Sequence, residues 1–162
     1  MPAEITKPDY LGACLCGGVQ WTSSESPTLQ FNCYCVDCRT STGAAFVPIM
    51  FFKTESVTLS GALTRFSSPG GSGHPMDRGF CTHCGAQIVA AVALMPGWIS
   101  IRAGTLADIN LFKPSASIFV SQAPDWAPPR DDLPSFERLP PGRPPTDQGR
   151  PVVGAGHPME KQ

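Results

Sequence analysis

Charge is scarce in this chain. Lysine and arginine together number 12 against 13 acidic residues, charged residues make up 15% of the whole, and the formal net charge is -1. Such a balance offers no basic field to a nucleic-acid backbone and no polybasic run to an anionic membrane. The expected partners are therefore small molecules, with nucleic acid and membrane set aside. Nothing approaches the ~18 consecutive apolar residues of a membrane-spanning helix. The opening residues Met1-Pro2-Ala3-Glu4-Ile5-Thr6-Lys7 lack the basic start and apolar run of a signal peptide, so a cytoplasmic location is expected. No window carries a convincing ten-residue helical period, which predicts a mostly β class with few or no long helices. At 162 residues the chain can bury the core of one domain but is short for two.

Cysteine is what the chain does have. Seven thiols, an odd number at tight spacings, argue for metal rather than disulfides in a reducing compartment. The central stretch is Cys33-Tyr34-Cys35-Val36-Asp37-Cys38-Arg39, with three thiols in six residues. Three protein ligands and an open position are the pattern of a catalytic zinc, whereas a structural zinc is closed by four. The expectation is a pairing of Cys14 and Cys16 with Cys81 and Cys84 as a closed structural zinc, leaving Cys33, Cys35 and Cys38 for a catalytic or labile one. Two alternatives stay open. His74 or Asp77 completes the triad as a second structural site, or all seven sulfurs share a two-zinc cluster. His83, inside the Cys81-Thr82-His83-Cys84 knuckle, is expected to face solvent or support a sulfur.

Residues 1 to 12 read as an extended lead-in with Pro2 and Pro8 discouraging a helix. Cys14 to Trp21 reads as the opening of a strand, with Gly17 and Gly18 letting the backbone bend near a bound ion. Thr40 to Gly43 reads as a polar bend, and Ala44 to Phe52 as a buried strand with an edge or bulge at Pro48. Val57–Leu59 and Leu63–Phe66, separated by Ser60-Gly61, carry a hairpin signal. Residues 67 to 79 read as a long loop. Ala86 to Leu94 and Trp98 to Arg102 predict two strands joined at Met95-Pro96-Gly97, followed by a turn or short helical piece at Gly104–Asp108 and a last strand at Ser117–Ser121. Proline density rises from Ala127. The expected division is a zinc domain over 1–138 and a Pro/Gly-rich tail over 139–162 that is disordered or loosely draped.

Three motifs, Cys14-Leu15-Cys16-Gly17-Gly18-Val19, Cys33 to Arg39, and Arg78-Gly79-Phe80-Cys81-Thr82-His83-Cys84-Gly85, resemble in order and spacing those of the glutathione-dependent formaldehyde-activating enzyme family, which also includes centromere protein V. The resemblance continues through Ala103-Gly104-Thr105-Leu106, Ile118-Phe119-Val120 and Ala123-Pro124-Asp125-Trp126, and covers about residues 10 to 138. It implies a β-tent fold, a closed zinc at Cys14, Cys16, Cys81 and Cys84, and a labile or catalytic zinc at Cys33, Cys35 and Cys38. It also implies a carbon-sulfur lyase activity, the reversible joining of glutathione to formaldehyde as S-hydroxymethylglutathione, with glutathione as co-substrate. The chain departs from the family's pattern at Tyr34, commonly histidine in relatives, and at Ser117, where a histidine often precedes the Ile-Phe strand.

A three-thiolate zinc site favours soft ligands, and an incoming thiol would lose its proton on binding. The expected partner is glutathione or a related thiol, or its adduct with a small carbonyl. Its carboxylates would meet some of Arg39, Lys53, Arg65, Arg78 and Arg102, with Arg39 favoured by adjacency. Tyr34 is expected to donate to a developing oxyanion or to pack beside the metal, and Asp37 to act as a base or to bond its own turn. A non-catalytic module, zinc-stabilised and binding a small molecule or a protein, is the competing reading. A homodimer is among the expected assemblies.

Overall fold

Alternation of side chains along short β-branched and aromatic segments generates most of the structure. The computed structural model describes residues 10–70 and 73–141. Among them are strands β1 (Tyr10–Ala13), β2 (Gln20–Ser23), β3 (Leu29–Cys33), β4 (Val47–Lys53), β5 (Val57–Ser60), β6 (Leu63–Pro69), β7 (Pro75–Cys81), β8 (Gln87–Val92), β9 (Trp98–Arg102), β10 (Ala116–Ile118) and β11 (Ser135–Phe136), with one helix, α1 (Val36–Thr42). The mostly β expectation is borne out. The strands form two sheets, β1-β2-β5 and β11-β10-β3-β4-β9-β8-β7-β6. In the larger sheet β10 runs parallel to both β3 and β11, and every other pair of neighbouring strands in that sheet is antiparallel. Among the described residues no helix is long and apolar enough to cross a membrane.

β4 explains why the sheet has a core on both faces. Met50 and Phe52 join Val19, Trp21, Ile88 and Ile101 under the small sheet. Trp21 and Phe52 meet at 5.9 Å between ring centroids, and Tyr10 packs edge-on against Phe52 at 5.7 Å. Val47 and Ile49 point the other way, toward Leu29, Phe31, Ile118 and Phe119. A strand buried on both faces reads as a continuous apolar run. Met50 and Phe52 have no exposed surface, and each such burial is worth about 1.5–3 kcal/mol.

The strand boundaries differ from expectation in several places, each for a local reason. Cys14 and Cys16 lie in the connection between β1 and β2, not on a strand, because Gly17 takes φ +76° and its N–H closes a turn onto the Cys14 carbonyl at 3.0 Å. Ser60-Gly61 does not make a hairpin. It passes the chain from β5 in the small sheet to β6 at the edge of the large one. Much of the expected loop at 67–79 is strand, since β6 pairs with β7 in register from Leu63↔Cys81 to Pro69↔Pro75. Pro48 sits in a central strand without a bulge, opposite Asn32. The β9 pairing begins only at Ile49↔Arg102, so the missing N–H costs no ladder bond there. β10 stops at Ile118 because Phe119 adopts a left-handed φ of 56° and turns the chain into a short 3-10 segment. The expected strands at 86–94 and 98–102 appear as β8 and β9, and the turn at 104 as a 3-10 segment over Ala103–Thr105.

Helix α1 was not anticipated. Seven residues are too few to show a helical period, and the signals are in its caps. Cys35 Sγ accepts the Cys38 N–H, and Gly43 closes the other end in the left-handed region. Most of the 1–12 lead-in and of the 139–162 tail lies outside the described residues. Of the remainder, Tyr10–Ala13 is strand, and Leu139 packs against the second core group.

Candidate metal centres and the adjoining cavity

The first cysteine group joins two distant turns. After the Gly17 turn, the Val19 N–H reaches Cys14 Sγ at 3.2 Å. Cys81 ends β7, and the following turn is closed by Gly85, whose N–H donates to the Cys81 carbonyl at 2.9 Å with φ +73°. The His83 N–H points at Cys81 Sγ (3.4 Å) while the residue itself is exposed, as expected. The sulfurs of Cys14, Cys16, Cys81 and Cys84 all lie within 4.8 Å of one another, with Cys14–Cys16 at 3.5 Å and Cys16–Cys81 at 3.7 Å. Thiolates at ~2.3 Å from a tetrahedral zinc stand about 3.8 Å apart. The group can hold a metal ion, and its donor set suits zinc. The Val19 N–H, followed by the neighbouring thiols, draws the Cys14 thiol down to about 6 against the resistance of burial. The amides of Ala86 and then Cys16 lower Cys84.

The second group is held on β3 and α1. Cys33 ends β3, Cys35 caps the helix, and Cys38 follows one turn on, all three buried with sulfurs within 4.8 Å of one another. Among the described residues no histidine or carboxylate joins them. Asp77 is instead engaged across β6 and β7, accepting from Arg65 (2.7 Å) and Ser67 (2.9 Å). Contacts with Cys33 and Cys35 hold the Cys38 thiol well below its usual range, helped by the positive charges of Arg102 and Arg78. Cys33 moves well up through its contacts with Cys35 and Cys38 and through burial. Cys35 is pulled down by Cys33, but Cys38 and burial outweigh this and push it up to about 12. The three thiols thus titrate as one interacting group, whose negative charge Arg102 and Arg78 favour.

The five basic residues separate clearly by position. Lys53 is exposed and pairs with Glu25 at 3.2 Å, and Arg65 pairs with Asp77. Arg39 donates from Nε to the Tyr34 carbonyl at 3.3 Å, bracing the triad loop. Arg78 and Arg102 are buried, and the strand registers put both on the triad's face of the sheet. Arg102 is opposite Ile49, and Ile49 opposite Phe31, two residues before Cys33. Arg78 stands opposite Ala90, Ala90 opposite Ser100, and Ser100 opposite Phe51. Residues directly opposite in a ladder share a face. Arg78 Nη1 donates to Ser68 Oγ at 2.8 Å, and Nη2 lies 3.7 Å from Asp37 Oδ2. Tyr34 is buried with its ring 5.0 Å from that of Phe46, and burial raises its hydroxyl pKa. Ser117 is fully buried and its Oγ has no hydrogen-bond partner.

A cavity of about 340 Å³ is bordered by Ser41 and Thr42 at the end of α1, Val47 opposite Cys33, Gly85–Gln87 after the knuckle, and Arg102, and no cysteine lines it. It thus touches segments that carry both cysteine groups. Gln87 was not among the residues expected from sequence, and no local signal marks it. Its Nε2 donates to the Ser41 carbonyl, while its buried Oε1 has no partner.

Comparison with known proteins agrees with these motifs. No curated protein matches the chain. A crystal structure of a Rhodobacter sphaeroides protein, determined in structural genomics, is similar at 19% identity and a TM-score of 0.48, over 78% of this chain and 99% of that one. The family model described as "Glutathione-dependent formaldehyde-activating enzyme" matches residues 9–122, a span that holds all seven cysteines. On that match, over more than half its length and across both cysteine groups, the chain belongs to the glutathione-dependent formaldehyde-activating enzyme family.

Proposed function

We propose that the protein is a zinc-dependent carbon-sulfur lyase of the β-tent type, acting on glutathione or a related thiol and on its adduct with a small carbonyl. The observation that carries this reading is the buried triad, three sulfurs without a fourth protein ligand among the described residues, faced by two buried arginines. In this reading Cys14, Cys16, Cys81 and Cys84 hold a structural zinc, and Cys33, Cys35 and Cys38 hold a second, labile or catalytic one. Zinc bound by three thiolates supplies a position for a soft sulfur ligand and favours the deprotonated form of a thiol.

In the direction of cleavage the carbon-sulfur bond of an S-hydroxymethyl thiol breaks. Its electron pair goes to sulfur, the oxygen becomes the carbonyl of the released aldehyde, and the hydroxyl proton passes to the departing sulfur, so that the products are the free thiol and the aldehyde. Arg78 and Arg102 stabilise the negative charge gathered at the triad, in a buried setting where such interactions are stronger than in water. The Tyr34 hydroxyl, kept protonated by burial, donates to the oxygen as charge develops on it. Arg39 steadies the Tyr34 backbone and flanks the thiol. The catalytic domain spans about residues 1–138, and 139–162 form an appended tail that the chemistry does not require. The protein works in the cytoplasm on small molecules, as a monomer or homodimer. Cys35→Ser tests the reading. It should abolish thiol-dependent turnover while the circular dichroism spectrum is kept, and turnover unchanged in this variant would overturn it.

A further inference from the structure

We infer that the open edge of the large sheet is a dimer interface, in which β6 pairs antiparallel with β6 of a second copy about Phe66 and the two sheets run on as one. The inference is independent of the chemistry at either cysteine group.

β6 is the last strand of the large sheet, and among the described residues no strand pairs with its outer side. It runs the seven residues Leu63–Pro69, whereas the other edge strands are short, β1 and β5 with four residues each and β11 with two. A long open edge is a template for another strand, and folded proteins normally blunt it with charge, proline or a bulge. Those devices are weak here. Arg65 is tied to Asp77 at 2.7 Å, Pro69 stands only at the end, and the register with β7 is unbroken. Phe66, at the midpoint, is 60% exposed.

The ladder decides which backbone groups are free. The Thr82 N–H donates to the Ala62 carbonyl at 3.1 Å and the Gly70 N–H to the His74 carbonyl at 2.8 Å, both in continuation of the β6–β7 register. Antiparallel strands exchange bonds at every second residue, so Thr64, Phe66 and Ser68 bond inward to β7 while Leu63, Arg65, Ser67 and Pro69 turn their backbone groups outward. A two-fold pairing centred on Phe66 sets Arg65 opposite the partner's Ser67 and Leu63 opposite the partner's Pro69. Every outward N–H then finds a carbonyl. Centring on Arg65 would oppose two guanidiniums, and centring on Ser67 would oppose Arg65 to a proline that has no N–H.

The side chains agree with this register. Phe66 meets its own copy in a non-hydrogen-bonded pair, where side chains stand closer, and two aromatic rings gain from the contact. Phe66 is the ladder partner of Arg78, so the row across the dimer reads Arg78, Phe66, Phe66, Arg78, and two rings separate the buried guanidiniums. On the opposite face each Arg65 faces the partner's Ser67, a residue that bonds Asp77 at 2.9 Å, so cation and carboxylate alternate across the seam. A second copy supplies this match by symmetry.

The test is sedimentation velocity of the zinc-loaded full chain at rising concentration. One strand pair is a small interface, so the dimer should form reversibly with a Kd on the order of 10 µM, and more dilute samples should be monomeric. Ser67→Pro removes an outward N–H and leaves the β7 ladder whole, while Phe66→Ala removes the central contact. Each should weaken dimerisation at least about tenfold, with Tm in dilute samples close to that of the parent. Phe66→Cys reads the register. Directly opposite residues in a non-hydrogen-bonded pair stand ~4.5 Å apart at Cα, within disulfide reach, so air oxidation should link two copies at this position. Thr64→Cys, opposite the partner's Ser68, should not link. A parent that stays monomeric at about ten times the expected Kd leaves the edge to some other strand and overturns the proposal. So does a dimer that neither Ser67→Pro nor Phe66→Ala weakens, or one that links through Thr64→Cys and not through Phe66→Cys.

Discussion

Gly12 is where the small sheet closes onto the large one, and Gly12→Ala tests that junction. It stands in β1, opposite Trp21 in β2, and bridges to Leu106 beyond the end of β9. A Cβ there would lie 2.1 Å from the Thr105 carbonyl oxygen and 2.6 Å from Trp21 Nε1. Real Cβ contacts essentially never fall below 3.0 Å, so backbone must retreat by nearly an ångström. The indole N–H bond to Thr105 Oγ1, now 2.9 Å, is lost in the process. Overpacking of this kind costs about 1–3 kcal/mol and the hydrogen bond about 1 more. For a domain of this size each kcal/mol lowers Tm by about 3–5 °C, so the expected fall is about 6–20 °C by differential scanning calorimetry. Gly104→Ala is the control, because a Cβ there meets nothing within 4 Å and the backbone is not left-handed. It should stay within about 0.5 kcal/mol of the parent. Equal Tm values for the two variants would refute the reasoning.

Phe52→Ala should cost about 3–5 kcal/mol in urea unfolding, because the ring is fully buried between the sheets, while Phe66→Ala at a 60% exposed position should cost under about 0.5 kcal/mol. Tyr34→Phe should slow turnover by about a hundredfold and leave thiol affinity unchanged, as removal of one oxyanion donor does; unchanged turnover would assign the hydroxyl to packing alone. Protons compete with metal for the same sulfurs. A thiol whose folded pKa is lowered contributes stability that is present above about 9 and lost as pH falls through about 6, which is the case for Cys14. Against the pull of the Gly18 N–H, contact with Cys14 and burial push the Cys16 thiol of the same group up to about 11, so Cys14 alone does not set the release point. Zinc at the first group should be retained at neutral pH and released progressively on acidification, measured with a chromogenic chelator. Release already complete at neutral pH would contradict this.

What could be read directly from sequence was local. The Cys14/Cys16, Cys33/Cys35/Cys38 and Cys81/Cys84 spacings each place sulfurs within one turn, so both metal groups were legible, and the pairing across 65 residues followed from ligand count. The apolar run at 47–52 likewise announced a buried strand. The β6–β7 hairpin was hidden because Ser67, Ser68, Pro69 and Pro75 have poor strand propensity and are held by pairing rather than preference. The placement of Arg78 and Arg102 was out of reach for a different reason. Adjacency favoured Arg39, but strand register across four ladders decides that Arg78 and Arg102 share a face with Cys33, and register is a property of the folded sheet.

The most direct test of the account measures, in the same samples, zinc per chain and the rate at which glutathione and formaldehyde form S-hydroxymethylglutathione, for the parent and for Cys35→Ser. The account predicts two zincs and accelerated formation in the parent, one zinc and no acceleration in the variant, with both folded. Acceleration that survives loss of the second zinc, or two zincs with no acceleration by the parent, would contradict it.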